Sequence, residues 1–115
     1  MTVSERATGG ITVLDLKGRL ILGASAEGLR DKVRSLLQQG QKQFIVNLAE
    51  VPYMDSGGLG ELVQAYATVT RQGGALKLLN TTSRLHDLLV ITKLATVFDC
   101  YASEDAAVAS FAVPV

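Results

Sequence analysis

Between Phe44 and Val69 the hydrophobic pattern changes period, and this change restricts the folds open to the chain more than any other feature. Phe44-Ile45-Val46-Asn47-Leu48 is a short apolar run of the kind shown by a strand covered on both faces. Val51-Pro52 marks a turn. Leu59, Leu62, Val63, Tyr66 and Val69 then recur at helical spacing, so a helix begins near Ser56 and points one apolar stripe inward. The handover is Met54-Asp55-Ser56-Gly57-Gly58-Leu59-Gly60, which puts an acid, a hydroxyl and three glycines at the mouth of the helix. Glycine costs a helix roughly 1 kcal/mol relative to alanine, so Gly57 and Gly58 in the opening turn need a reason other than helix stability. The reason expected here is access: a turn without side chains lets another molecule reach the Ser56 hydroxyl and the free backbone N–H groups. An ordinary N-cap at Asp55 or Ser56 beside a flexible loop also accounts for the Asp-Ser pair.

Strand and helix signals alternate along the rest of the chain. Val3 begins an edge strand, Gly9-Gly10 reads as a tight turn, and Ile11 to Leu16 forms the antiparallel partner. Ser25 is placed to cap a helix whose inner face is Leu29, Val33, Leu36 and Leu37, with Gly40 as its stop. The helix from Ser56 runs to Gly73-Gly74, and Ala75 to Leu79 is the next strand. Thr82 or Ser83 opens a helix carrying Leu85, Leu88 and Leu89. Val97 to Tyr101 reads as a last strand, and Ser103 as the cap of a final helix whose Glu104 and Asp105 suit the positive end of the helix dipole. Strand-helix-strand alternation predicts right-handed parallel crossovers, and the opening hairpin adds an antiparallel edge. The expectation is one α/β domain over residues 1–115: a mixed, mostly parallel sheet with about four helices. The Ser56 loop then lies at the carboxyl ends of the strands, where open α/β sheets place their sites.

With 11 basic and 11 acidic residues and no run of like charge, the chain suggests neither a nucleic-acid stripe nor a polybasic membrane patch, so its partners are expected to be proteins. No apolar run approaches the roughly 20 residues that span a bilayer, and no membrane insertion is expected. A single cysteine, Cys100, and the lack of a secretory leader pattern point to a cytoplasmic location. Cys100 is read as a small buried hydrophobe in the last strand. Met54 is read as core, and Tyr53 as either core or contact residue. Asp55-Ser56-Gly57-Gly58 resembles the nucleophile segment of chymotrypsin-like serine proteases, but the one histidine, His86, follows the serine where that family places it before. His86 is expected to be a partly exposed structural residue. No catalytic residues are assigned. Without a Gly-x-x-x-x-Gly-Lys loop or Cys and His pairs at ligand spacing, no cofactor and no metal are expected either.

Over nearly its whole length the chain resembles the STAS domain, in particular the bacterial anti-sigma factor antagonists, whose signature is a strand followed by Asp-Ser-(Ser or Thr)-Gly-Leu-Gly opening a helix. The matching residues are Asp55, Ser56, Gly58, Leu59 and Gly60, and the likeness extends through Gly18-Arg19-Leu20, Asn47-Leu48, Gly73-Gly74, Leu85 to Phe98 and Tyr101 to Ala106. Gly57 stands where the family usually has a second hydroxyl residue, which leaves Ser56 as the one phosphorylation candidate in the loop. The resemblance implies a single STAS-like domain and a partner switch. In that family the unmodified antagonist binds an anti-sigma factor that is also a serine kinase and so releases a sigma factor. Phosphorylation ends the binding and a serine phosphatase restores it. On this reading Ser56 is the phosphoacceptor, and Asp55, Gly57, Gly58, Leu59 and Gly60 form the partner-binding opening of the helix. Leu22 and Gly23, with Ala24, border the same surface. ATP belongs to the kinase. Two alternatives stay open: a STAS module of a transporter, lipid-transport ATPase or sensory complex, and a small-ligand or nucleotide-binding domain using the same helix mouth.

Overall fold

The computed structural model describes residues 2–21 and 24–111. Strand β1 (Thr2–Thr8) reverses into β2 (Ile11–Lys17) through Gly9 and Gly10, whose φ angles of 55° and 82° give the two left-handed residues that a tight hairpin matched to strand twist requires. Helix α1 (Ala24–Gln38), β3 (Gln43–Glu50), α2 (Ser56–Arg71), β4 (Ala75–Leu79), α3 (Ser83–Ile91), β5 (Cys100–Tyr101) and α4 (Glu104–Phe111) follow. The sheet order is β1-β2-β3-β4-β5, with β1 antiparallel to β2 and every later pair parallel. This is the mixed sheet with an antiparallel edge hairpin that the pattern predicts.

Sequential strand order has a consequence for layering. Right-handed crossovers that always step in the same direction across a sheet must leave their helices on one face, so α1, α2 and α3 cover one side. Leu14, Leu16, Phe44, Val46, Leu48 and Leu78 meet them there in the main core, together with Leu29, Leu62 and Leu85 from the helices. Among the described residues no strand follows β5, and α4 folds onto the opposite face. There Ala107, with Val108 and Phe111, packs on Ile11, Val13, Ile45 and Leu79. Two covered faces explain why β3 reads as a continuous apolar run.

Three expectations need correction. The last strand is not Val97 to Tyr101 but Cys100–Tyr101 alone, paired with Leu78 and Leu79. After α3 the chain turns through Lys93, at φ 62°, and a series of turn bonds such as Val97 N–H to the Leu94 carbonyl at 3.0 Å uses the donors a ladder would need. Phe98 is buried by packing edge-on against Tyr66, with ring centroids 5.1 Å apart, and Val97 is exposed. Cys100 is exposed on this short edge strand, not buried. Finally, α1 is already helical at Ala24, so Ser25 lies within it and does not precede it.

Candidate functional site

The site is built where the ends of β2 and β3 continue to pair beyond the sheet. Gly18 N–H donates to the Glu50 carbonyl at 3.0 Å, Leu20 N–H to the Tyr53 carbonyl at 2.9 Å and Asp55 N–H to the Leu20 carbonyl at 3.3 Å. Leu20 and Met54 form a parallel bridge, and both side chains enter the main core. Met54 is thus core, as its sequence suggests. Tyr53, left open by the sequence, is a surface residue, and the guanidinium carbon of Arg19 lies 5.1 Å from its ring centroid.

Asp55 is the N-cap of α2. Its backbone is extended, with φ −96° and ψ 178°, and its Oδ1 accepts the Gly58 N–H at 2.7 Å. This resolves the choice between Asp55 and Ser56: Ser56 is the first helical residue, exposed, and among the described residues its hydroxyl has no hydrogen-bond partner. The helix mouth therefore spends its acid on capping and leaves its hydroxyl to solvent. The Gly58 donor is taken, whereas the Gly57 N–H, one residue earlier, lies among the groups that an α-helix cannot pair internally.

The glycines divide into two roles. A Cβ on Gly58 would lie 2.0 Å from the Leu20 carbonyl oxygen and 2.6 Å from its carbon, so this glycine is dictated by the paired segment packed against the helix and not by access for another molecule. Gly60 is exposed, and a Cβ there would meet nothing within 4 Å. One turn from Ser56, it keeps that surface bare. Gly57 is half-buried. Leu59 is 4% exposed and belongs to the core, so of the predicted binding residues Gly58 and Leu59 set the loop's position while Ser56 and Gly60 form its outer surface. Leu22 and Gly23 lie outside the described residues. Deeper along α2, Glu61 Oε1 accepts from Arg30 Nη2 at 2.9 Å and ties α1 to α2.

A polar ladder crosses the opposite face below this edge. Asp15 Oδ1 accepts from Asn47 Nδ2 at 2.8 Å, and Asn47 Oδ1 accepts from Asn80 Nδ2 at 3.1 Å. Arg6 donates through Nε to Asp15 at 2.7 Å and through Nη1 to Glu104 at 2.8 Å, which pins the start of α4 to β1. The hydrogen bonds from Arg6 hold both carboxyls below the usual carboxylate range. Among the described residues no cluster of ligating side chains could hold a metal, and no helix is long and apolar enough to cross a membrane. His86 is an exposed residue of α3, and among the described residues its side chain makes no hydrogen bond.

Residues 3–107 match the STAS domain. The chain belongs to this family. The anti-sigma-B factor antagonist of Bacillus subtilis (strain 168) is 43% identical over 84 residues, which cover 73% of this chain and 76% of that protein. The anti-sigma factor antagonist SpoIIAA in its unphosphorylated form superimposes with a TM-score of 0.76 at 21% identity, over 98% of this chain and 100% of that one. The Bacillus cell fate determinant SpoIIAA in its phosphorylated form gives a TM-score of 0.74 at 22% identity, over 96% and 99% of the two chains. Within the STAS domains this chain is thus an anti-sigma factor antagonist, a family of regulators and not of enzymes. The sequence named Tyr53 as a possible contact residue beside the motif but did not bring Arg19 to it; nothing in a linear pattern shows that the end of β2 lies beside the turn before α2.

Proposed function

We propose that this STAS domain is a partner switch operated at Ser56. Unmodified, the surface around Ser56, Gly57 and Gly60 binds an anti-sigma factor that is also a serine kinase, and a sigma factor is released. The kinase transfers phosphate from ATP to the Ser56 hydroxyl, binding ends, and a serine phosphatase resets the protein in the cytoplasm. The observation that carries this reading is the division of labour at the helix mouth: Asp55 caps, and the exposed Ser56 hydroxyl is left uncommitted. The likeness to an antagonist solved in both phosphorylation states supports it.

The physical consequence follows from where the charge would sit. A phosphate at the first helical residue gains from the helix dipole and from the Gly57 N–H, while Asp55 next to it repels. The two effects oppose, so the fold survives. An interface over the same turn does not, because a dianion occupies its space and must be desolvated. The test pairs a thermal melt with a calorimetric titration against the purified anti-sigma kinase. Ser56→Glu is expected to melt close to the wild type and to bind at least tenfold more weakly, about 1.4 kcal/mol. Normal binding by Ser56→Glu, or loss of binding only through unfolding, would refute the local switch. Co-purification with a membrane transport complex in place of the kinase would favour a transport module.

A further inference from the structure

The edge that carries Ser56 also carries a pair of surface side chains outside the core, Arg19 and Tyr53. The bridge that sends Leu20 and Met54 into the core sends their neighbours Arg19 and Tyr53 to the other side, because successive strand residues alternate. Both lie in solvent, with the guanidinium of Arg19 stacked over the Tyr53 ring. Tyr53 is 37% exposed; the other large apolar side chains exposed to at least that degree among the described residues, Val90, Ile91 and Val97, lie on and after α3. Arg6 and Arg30 meet carboxylates, whereas among the described residues Arg19, Arg34, Arg71 and Arg84 meet none, and of these four Arg19 is the one that lies over an aromatic ring. The pair is held in place relative to Ser56, since Leu20 bonds to both Tyr53 and Asp55 and α2 rests on the Leu20 carbonyl at Gly58.

We propose that Arg19 and Tyr53 anchor the partner interface at Ser56 and select a protein surface that presents a carboxylate beside an apolar cleft. The carboxylate pairs with the guanidinium fork and the cleft encloses the ring. This deepens the partner-switch reading and rests on it. Tyrosine and arginine carry a disproportionate share of interface energy. Stacking on the ring orders the arginine before the partner arrives, so less side-chain freedom is lost on binding. An unpaired guanidinium beside an exposed aromatic supplies the charge complementarity that favours an acidic partner. A dianion on Ser56 also repels the partner's carboxylate.

The test is a set of calorimetric titrations with the purified anti-sigma kinase, using full-length wild type, Arg19→Glu, Tyr53→Ala, the double variant, Ser56→Glu and, as a matched charge change elsewhere, Arg34→Glu on α1. Each sample is melted in parallel. Arg19→Glu and Tyr53→Ala are expected to weaken binding at least tenfold with unchanged melts, and the double variant to lose less than the product of the singles. Arg34→Glu should bind as the wild type does. Where a melt falls, Arg19→Gln and Tyr53→Leu are read in the same way. Wild-type binding by Arg19→Glu and Tyr53→Ala alongside weakened Ser56→Glu overturns the anchor and leaves the switch standing. Weakened Arg19→Glu and Tyr53→Ala alongside normal Ser56→Glu keeps the anchor and removes the switch. No binding by the wild type overturns both.

Discussion

Helices α2 and α3 begin alike. Each follows the carboxyl end of a parallel strand, and each is capped by a side chain that accepts the N–H three residues on: Asp55 from Gly58 at 2.7 Å, Thr82 from Leu85 at 3.3 Å. Each then places an exposed serine first in the helix, Ser56 and Ser83. The difference lies at the third helical residue. In α3 it is Leu85, which drops into the core, and in α2 it is Gly58, which lets the helix close onto the backbone of Leu20. That contact brings Arg19 and Tyr53 to the edge beside Ser56. A serine at a helix mouth is therefore not a site by itself; what packs around it decides. The start of α4 adds a third case, since its first residue is Glu104, a carboxylate held by Arg6. Negative charge at that position is compatible with this fold.

The largest effect expected from breaking the α2 arrangement is at Gly58. Gly58→Ala forces a Cβ to within 2.0 Å of the Leu20 oxygen, so the helix must shift, at a cost of about 1–3 kcal/mol or more. Gly60→Ala meets open space and is expected to stabilise by up to about 1 kcal/mol. Chemical denaturation of the two variants reads opposite signs; equal effects would remove the distinction between a packing glycine and a surface one.

That distinction was not legible in the sequence, and the reason is physical. The pattern Asp55-Ser56-Gly57-Gly58 shows a helix mouth poor in side chains, but the atom that excludes a Cβ at Gly58 comes from Leu20, which is distant in the chain. Features set by local geometry were legible: the Gly9-Gly10 hairpin, the Ser103 cap with its oxygen 3.1 Å from the Ala106 nitrogen, and the apolar stripe of α2. Features set by competition between local and non-local bonds were not. Val97 and Phe98 look like strand residues, yet the turn after Lys93 takes their hydrogen bonds, which shortens β5 and leaves Cys100 at an exposed edge. The family resemblance put Leu59 in the partner-binding opening, whereas its helical spacing put it on the inward stripe, and the core is where it lies.

The two caps come next in size. Asp55→Ala and Thr82→Ala are each expected to lower stability by about 1 kcal/mol, with Asp55 the more costly because its bond is shorter and charge-assisted. Thermal melts of the pair rank them; a larger loss at Thr82 would contradict this account of the α2 mouth.

The smallest effect concerns the third helix start. Asp15 and Glu104 have folded pKa values depressed by Arg6, so their contribution to stability is present above the unfolded carboxylate range, near pH 4, and is lost as pH falls through the folded values. Arg6 stays charged throughout. The groups are about a third exposed or more, which screens the pairing, so the acid-side loss is expected to be at most about 1 kcal/mol. Arg6→Gln should flatten that part of the stability-versus-pH curve. An unchanged curve would show that the pairing does not contribute.

The most direct measurement on the central claim is site mapping after incubation of the full chain with the purified anti-sigma kinase and ATP. One added phosphate is expected, on Ser56, with Ser83 unmodified in spite of its matching position, and no phosphate on Ser56→Ala. Modification of Ser83, Ser103 or another distant hydroxyl in Ser56→Ala would contradict it.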